Sequence, residues 1–286
     1  MIIKYRTKPA RYAVVGHPVE HSQSPWIHHC FAAQLGENID YTRLRAPLDG
    51  FVACVRRFFA EGGRGLNITL PFKLDAYVLA DAVSPRAAAA GAVNTLRADT
   101  DGLYGDNTDG VGLVRDIEHN LKLALKQRRI LLLGAGGAAR GVLPALLEAA
   151  PAELVIVNRT AARALELAQH FAPLAEHLAC KLRGGGENVA RGAFDIVINA
   201  TSASVTATQP CFNSCAITEG TLAYDLMYGA QPSIFMRTAQ RLGARVSNGV
   251  GMLVEQAAES FFVWRGKRPN SAPVIEQLRV RMLKTA

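Results

Sequence analysis

The chain has 286 residues, 49% of them hydrophobic, which is enough for two domains with sizeable cores. The formal net charge is +8, but the basic residues are scattered singly or in pairs and are not interleaved with aromatic residues that could stack on bases. No apolar run reaches the ~18–20 residues that cross a bilayer. Composition and charge therefore argue against a nucleic-acid-binding protein and against a membrane protein.

The five cysteines do not form the pattern of a metal site. Cys211 and Cys215 are four residues apart, but no second Cys or His pair lies nearby to complete a zinc site. We expect reduced thiols, no bound metal and a cytoplasmic location.

Strands and helices alternate in the first part of the chain. Hydrophobic spacing and turn residues predict strands at 11–16, 41–44, 65–69, 92–97 and 103–104, and helices at 25–35, 51–60 and 74–80. This order is typical of a mainly parallel α/β sheet with an irregular edge.

Three polar clusters stand at predicted strand ends in this part: 67–73 (NITLPFK), 91–95 (GAVNT) and 105–110 (GDNTDG). Pro71 cannot continue a central ladder, so the chain turns and places Lys73 at the end of its strand. One such cluster alone is typical of a turn. Three in succession, with a lysine and a carboxylate among them, indicate a site, because open α/β sheets bind ligands at strand ends.

The second part of the chain has the pattern of a doubly wound sheet. We predict helices at 111–126, 161–171 and 252–262, and a further helix that follows the glycine-rich segment 134–141 and ends at about 149. The predicted strands are 130–133, 153–157, 194–199, 222–226 and 244–246, and the predicted loops are 184–186 and 202–208. The strand at 130–133 is a short continuous apolar run, as expected for a strand buried on both faces.

A glycine-rich turn follows that strand and opens a helix, which is the context of a dinucleotide-binding fingerprint. Gly134 allows the tight turn, and Gly136 lets the backbone approach a pyrophosphate. The helix N-terminus supplies amide donors. The predicted cofactor contacts in this turn are Gly134, Ala135, Gly136, Gly137 and Ala138.

The end of the next strand favours NADP(H) over NAD(H). NAD sites usually carry an Asp or Glu here, whereas this chain has Asn158, Arg159 and Thr160, with Arg163 one helical turn on. Guanidinium groups and a hydroxyl bind a 2′-phosphate with charge-assisted hydrogen bonds. Thr160 is also expected to cap the helix that follows.

A nicotinamide cofactor implies hydride transfer, and a carbonyl that accepts hydride also needs a proton donor. Lys73 and Asp109 are the natural pair, since an ammonium can donate to the oxygen while a carboxylate holds it in place. Surface solvation is the alternative for a lone Lys or Asp, and the proximity of these two is an assumption drawn from their places at strand ends.

These motifs in this order resemble the shikimate dehydrogenase family over nearly the whole chain. Four more segments carry the resemblance: 21–25 (HSQSP), 158–160 (NRT), 199–202 (NATS) and 249–256 (GVGMLVEQ). The resemblance implies NADPH-dependent reduction of 3-dehydroshikimate to shikimate, in the pathway to chorismate and aromatic amino acids. It implies an N-terminal substrate domain and a Rossmann-type domain with a cleft between them.

The resemblance also implies domain limits and residue roles. The substrate-binding catalytic domain would span 1–110, the NADP-binding domain 111–248, and helices at 249–286 would return to the first domain. Lys73 and Asp109 would be catalytic, and Ser22 and Ser24 would bind the substrate carboxylate. The residues that contact ring hydroxyls or fix their neighbours would be Asn67, Thr69, Asn94, Tyr228 and Gln256. Leu226, Gly249 and Met252 would lie along the nicotinamide.

Other interpretations stay open from sequence. A quinate dehydrogenase is the nearest rival within the enzyme class, and a non-catalytic NADP-binding regulator is the rival from another class. Retention of Lys73 and Asp109 counts against the regulator. Ala203 and Ser204 depart from the family pattern beside the cofactor. The expected partner is the small-molecule substrate, with a homodimer as a possible assembly.

Overall fold

The computed structural model describes residues 8–201, 212–229 and 231–284, which divide into two compact units. Residues 8–108 and Val254–Ile275 form the first, and Asp109–Leu253 with residues 276–284 form the second. Each unit contains a six-stranded sheet, which confirms the mixed α/β class. The predicted domain limits and the cleft stay predictions. The loop at 202–208, with Ala203 and Ser204, lies outside the described residues.

The sheet of the first unit has the strand order β2-β1-β3-β5-β6-β4. Its strands are β1 (Ala10–Gly16), β2 (Ile39–Arg45), β3 (Gly63–Ile68), β4 (Ala82–Val83), β5 (Thr95–Asp99) and β6 (Gly102–Asp106). The helices between them are α1 (Ser24–Leu35), α2 (Phe51–Ala60), α3 (Lys73–Leu79) and α4 (Pro85–Ala90). Sequence reasoning missed β4 and α4, which are too short to show a periodic pattern.

One antiparallel strand brings the polar clusters of this unit together. β5 runs antiparallel to both β3 and β6, while β1 is parallel to β2 and β3. The start of β5 therefore lies at the same sheet edge as the ends of β3 and β6. Asn67 is paired with Thr95, and Thr95 is paired with Asp106.

The sheet of the second unit is parallel throughout, in the order β12-β11-β10-β7-β8-β9. This is the Rossmann order, in which the direction of strand progression reverses between β7 and β10. The strands are β7 (Arg129–Leu133), β8 (Glu153–Val157), β9 (Lys181–Gly185), β10 (Ile196–Asn199), β11 (Leu222–Asp225) and β12 (Arg245–Asn248). The helices of this unit are α5 (Asp109–Arg115), α6 (Gly137–Glu148), α7 (Ala161–His177) and α8 (Ile234–Arg241). The last two helices, α9 (Val250–Arg265) and α10 (Ala272–Lys284), each belong partly to the first unit, which includes Val254–Ile275.

The structure differs from the predicted secondary structure of this unit at two segments. The helix expected to reach residue 126 is α5 followed by a π-helical turn at Asp116–Asn120. The glycines expected to form a loop at 184–186 lie partly in β9, which pairs with β8. A Cβ on Gly184 would collide with the backbone of Ala164 in α7, so this glycine permits close packing of helix on strand.

The apolar strand β7 is buried on both faces, as predicted. Ile130 and Leu132 belong to one apolar cluster, and Leu131 and Leu133 belong to a second one. The carboxyl end of β7 is thereby fixed, and the glycine-rich turn follows it directly. Among the described residues, no helix is both long and apolar enough to span a bilayer.

Candidate active site

Lys73 is held at the end of β3 by a tight turn. Phe72 N donates to Thr69 O (3.1 Å), and Thr69 N donates to Val15 O (2.9 Å). Lys73 is the first residue of α3 and is half-buried, and its carbonyl oxygen accepts from Val93 N (2.9 Å). The turn therefore presents the lysine at the sheet edge where the polar clusters converge.

Asn67 is buried with its amide group fully bonded. Its Oδ1 accepts from Tyr41 OH (2.7 Å) and from His28 Nε2 (3.1 Å). Its Nδ2 donates to Ser260 Oγ (2.9 Å), to Thr95 Oγ1 (3.3 Å) and to Asn94 O (3.4 Å). Of the two roles predicted for Asn67, these contacts favour that of fixing neighbouring groups.

Asn94, Thr108 and Gln256 form a second cluster at this edge. Asn94 Oδ1 accepts from Thr108 N (2.9 Å), while Asn94 Nδ2 donates to Thr108 Oγ1 (2.9 Å) and to Gln256 Oε1 (3.4 Å). Asn94 is buried, whereas Gln256 is half-buried. The cluster joins the start of β5, the segment after β6 and helix α9 in one set of neutral donors and acceptors.

The serines predicted to bind a carboxylate lie together at the start of α1. Ser22 Oγ donates to Ser24 Oγ (3.1 Å), and Ser24 N donates to Ser22 Oγ (3.3 Å). Ser24 is buried and Ser22 half-buried. Thr69, also half-buried, follows β3. Most predicted substrate contacts thus belong to the first unit.

Sequence reasoning missed several polar groups of this network: His28, Tyr41, Thr95, Thr108 and Ser260. For two of them, the spacing in sequence from a predicted contact could have indicated a place in the network. Ser260 follows Gln256 by four residues in α9, and His28 follows Ser24 by four residues in α1, so each lies one turn from a predicted contact. Tyr41 showed no such signal, because a tyrosine in a strand is usually core.

Asp109 and Tyr228 belong to the second unit. Asp109 is buried as the first residue of α5, and Tyr228 is half-buried after β11. Burial raises the pKa of the Tyr228 phenol. The pairing of Asp109 with Lys73 and the contact of Tyr228 with substrate stay predictions.

The glycine-rich turn fits a dinucleotide pyrophosphate. Gly134 has a φ of 108°, and a Cβ there would lie 3.0 Å from Ala200 O, so the turn requires glycine. A Cβ at Gly136 or Gly137 would meet nothing within 4 Å. Residues 136–138 are exposed at the N-terminus of α6. The turn therefore has backbone donors at a helix N-terminus and open space in front of them, which are the features that a pyrophosphate site requires.

The segment after β8 carries unpaired positive charge. Arg159 and Arg163 are exposed, and neither guanidinium has an ion-pair partner within the described part of the chain. Asn158 Nδ2 donates to Thr160 O (3.0 Å) and thereby holds the turn. Thr160 takes the N-cap position of α7, but its side chain makes no capping hydrogen bond to a described residue. The expected cap is therefore wrong: Thr160 occupies the N-cap position, but its hydroxyl does not bond to the first turn of α7.

A buried pair supports the segment predicted to lie along the nicotinamide. Tyr224 OH donates to Asp116 Oδ2 (2.6 Å) and accepts from Met252 N (3.3 Å). Side chains at Gly249 or Gly251 would collide with the Leu226 carbonyl and the Asp116 carboxylate respectively. Leu226, Gly249 and Met252 are thus held together at the carboxyl end of β11.

The buried His28 predicts a specific dependence of stability on pH. Burial lowers the pKa of His28 from 6.5 to about 3, because the imidazolium would lose its hydration. Between these two pH values, His28 therefore binds a proton in the unfolded chain but not in the folded chain. The free energy of unfolding falls as pH drops through this window, by up to about 1.4 kcal/mol per pH unit.

His28→Gln removes this contribution. Between pH 7 and pH 5, the free energy of unfolding of the wild type should fall by about 2 kcal/mol more than that of the variant. Urea unfolding at both pH values measures it. His29→Gln, at the exposed next residue, is the control and should follow the wild type. Parallel curves for wild type and His28→Gln would mean that His28 is protonated in the folded protein.

Three models of one family match the chain in succession. The shikimate dehydrogenase substrate-binding domain matches residues 14–96, the shikimate/quinate 5-dehydrogenase model 116–219, and the shikimate 5′-dehydrogenase C-terminal domain 249–279. The chain belongs to the shikimate dehydrogenase family. The resemblance stated from sequence motifs is confirmed.

Curated and solved members of the shikimate dehydrogenase family align with almost the full chain. The shikimate dehydrogenase (NADP(+)) of Cupriavidus taiwanensis is 53% identical over 277 residues, which cover 95% of this chain and 94% of the relative. The shikimate 5-dehydrogenase of Thermus thermophilus, solved with NADP(H) and shikimate, is 34% identical with a TM-score of 0.83, covering 96% of this chain and 100% of that one. An Ael1 enzyme from Pseudomonas putida is 48% identical with a TM-score of 0.87, covering 94% and 98%.

Proposed function

We propose that this protein is an NADP-dependent oxidoreductase that reduces 3-dehydroshikimate to shikimate, in the pathway to chorismate and aromatic amino acids. The observation that carries the proposal is the edge of the first sheet. There neutral amide and hydroxyl groups converge and the turn after β3 carries Lys73, in a chain 53% identical to a curated shikimate dehydrogenase (NADP(+)). A small substrate with several hydroxyl groups and a carboxylate needs such a set of donors and acceptors.

The reaction needs a hydride and a proton. The bound reduced nicotinamide supplies the hydride to the ketone carbon. Lys73 donates a proton to the carbonyl oxygen as negative charge develops there, and the hydroxyl group forms. Asp109 holds the ammonium in position, and Lys73 regains its proton from solvent.

Recognition of the substrate is divided among polar side chains. Ser22 and Ser24 bind the carboxylate by hydroxyl donation. The residues that contact the ring hydroxyls or fix their neighbours are Asn67, Thr69, Asn94, Tyr228 and Gln256. The neutral character of this set suits hydroxyl groups, which both donate and accept.

The cofactor assignment predicts a selective effect of Arg159→Ala. A charge-assisted hydrogen bond contributes about 1.5–3 kcal/mol, so the KM for NADP+ should rise tenfold or more while that for NAD+ scarcely changes. Initial rates with each cofactor at saturating shikimate measure this. Arg191→Ala is the control. Arg191 lies near the start of β7, at the end of the strands opposite to Arg159, and its carbonyl oxygen accepts from Arg129. Equal losses for both cofactors would show that Arg159 does not bind the 2′-phosphate.

Four assays test the proposed reaction: shikimate or quinate, each with NADP+ or NAD+, followed at the nicotinamide absorbance. We expect the highest kcat/KM with shikimate and NADP+. A preference for quinate would favour the rival enzyme, and no turnover with any pair would favour a non-catalytic regulator. The names of the curated relatives do not favour either rival.

Location and assembly are part of the proposal. A biosynthetic reduction that draws on NADPH suits the cytoplasm. A homodimer stays a prediction, which sedimentation of the purified protein tests.

A further inference from the structure

The start of helix α9 is attached to the sheet of the second unit by a buried phenol group. Tyr224 lies on β11 and is fully buried. Its hydroxyl accepts from Met252 N (3.3 Å), in the first turn of α9, and donates to Asp116 Oδ2 (2.6 Å). Because a backbone N–H can only donate, the single phenolic proton is used on the carboxylate. Tyr224 therefore provides an acceptor for one of the amide groups that a helix N-terminus leaves without an intrahelical partner.

The carboxylate of Asp116 is itself held in place. Asp116 is fully buried, and its Oδ1 accepts from Asn120 Nδ2 (3.0 Å), at the other end of the same π-helical turn. A Cβ at position 251 would collide with this carboxylate, so Gly251 brings the first turn of α9 against it. A negative charge at a helix N-terminus is favourable, because the helix dipole is positive there. One buried carboxylate thus contacts both the phenol group and the start of α9.

The same segment lies where the second half of a dinucleotide is expected. A Rossmann sheet consists of two mononucleotide-binding halves. The glycine-rich turn after β7 and Arg159 after β8 belong to the first half, which leaves the carboxyl ends of β10, β11 and β12 for the nicotinamide half. Leu226 follows β11 and Gly249 follows β12, and Gly249 N donates to Met227 O (3.1 Å). The first turn of α9 comes directly after this contact.

We propose that Tyr224 and Asp116 are positioning residues that hold the first turn of α9 against the nicotinamide half of the cofactor. This inference rests on the proposed function. Both side chains are fully buried, so they act through Met252, which is half-buried at the helix start. Without the phenol oxygen, Met252 N loses this acceptor. The first turn is then held less tightly, and the nicotinamide ring is placed less accurately for hydride transfer.

Tyr224→Phe removes only the phenol oxygen, and two probes separate its effects on the two halves of the cofactor. The fragment 2′-phospho-ADP-ribose has the 2′-phosphate and the pyrophosphate but lacks the nicotinamide ring, so its Kd, measured by calorimetry, should equal that of the wild type. The kcat/KM for NADP+ at saturating shikimate should fall about five- to tenfold, the equivalent of one hydrogen bond. Calorimetric stoichiometry counts the competent sites, so partly unfolded protein cannot mimic this result.

Thr221→Val is the matched control. Thr221 immediately precedes β11, is also fully buried, and donates through its hydroxyl to Phe194 O (2.8 Å). The substitution therefore removes a buried hydroxyl from the amino end of the strand, whereas the cofactor is expected at the carboxyl end. The Kd for the fragment and the kcat/KM for NADP+, per competent site, should both equal those of the wild type.

Three results would overturn the proposal. They are a parallel loss of fragment binding in Tyr224→Phe, an unchanged kcat/KM for NADP+, or the same selective loss in Thr221→Val. If Tyr224→Phe does not fold, Asp116→Asn keeps the shape of the side chain but replaces a charged acceptor with a neutral one. The same selective loss should then appear in smaller measure, and its absence would overturn the proposal. Absence of shikimate oxidation by the wild type would instead refute the proposed function itself.

Discussion

Replacement of Lys73 by alanine is expected to lower the turnover number by roughly two to four orders of magnitude. In the proposed mechanism, Lys73 donates to the carbonyl oxygen mainly as charge develops in the transition state. The KM for shikimate should change far less, because this interaction is weak in the ground state. Steady-state kinetics of the purified variant, with Lys126→Ala as an exposed control, measure both constants.

Asp109→Asn should produce a similar loss if Asp109 has the proposed role, since the substitution removes the negative charge and keeps the shape of the side chain. The double variant should be little worse than either single one, because residues that act as a unit are not additive. Near-normal turnover of Lys73→Ala, with only weaker binding, would make Lys73 a binding residue and require another proton donor.

Arg86→Met should have the largest effect on stability, a loss of about 3–5 kcal/mol. Arg86 donates to both oxygens of Asp106 (2.7 and 2.6 Å) and to Glu259 Oε1 (3.1 Å). Asp106 and Glu259 are 3% and 5% exposed. Removal of the guanidinium leaves these two carboxylates with fewer partners, although Ser84 and Arg268 still donate to them.

Urea unfolding followed by tryptophan fluorescence measures this loss. Both tryptophans of the chain, Trp26 and Trp264, lie in the first unit with Arg86, so the signal reports on that unit. Arg45→Met is the control, because the Arg45–Glu20 pair is exposed to solvent and should contribute little to stability. A loss for Arg86→Met no larger than that of the control would mean that water reaches the two carboxylates in the folded protein.

Hydrophobic patterning was sufficient to predict the elements whose structure depends on burial of their own apolar side chains. The predicted helix at 51–60 and the predicted strand at 153–157 coincide with α2 and β8. Each has an apolar pattern of its own, since α2 buries one face and β8 is buried on both. The glycine-rich turn could also be predicted, because its chemistry is local to one strand and one helix start.

The other elements and the polar network depend on tertiary contacts, which the local sequence does not show. The strand β9 contains two glycines, and it forms because β8 supplies a hydrogen-bonding partner and α7 packs against it. Likewise, nothing local to Tyr41 indicates that its hydroxyl meets Asn67, which is 26 residues away in sequence. The polar network depends on β5 running antiparallel to its neighbours, which no local pattern shows.

Transfer of deuterium tests the central claim most directly. The protein is incubated with 3-dehydroshikimate and NADPH that carries deuterium at both positions of nicotinamide carbon 4, and the product is examined by mass spectrometry. The account predicts shikimate that carries deuterium at the new C–H bond, with NADP+ formed in equal amount. Loss of the ketone without deuterium in the product, or no reaction at all, would contradict it.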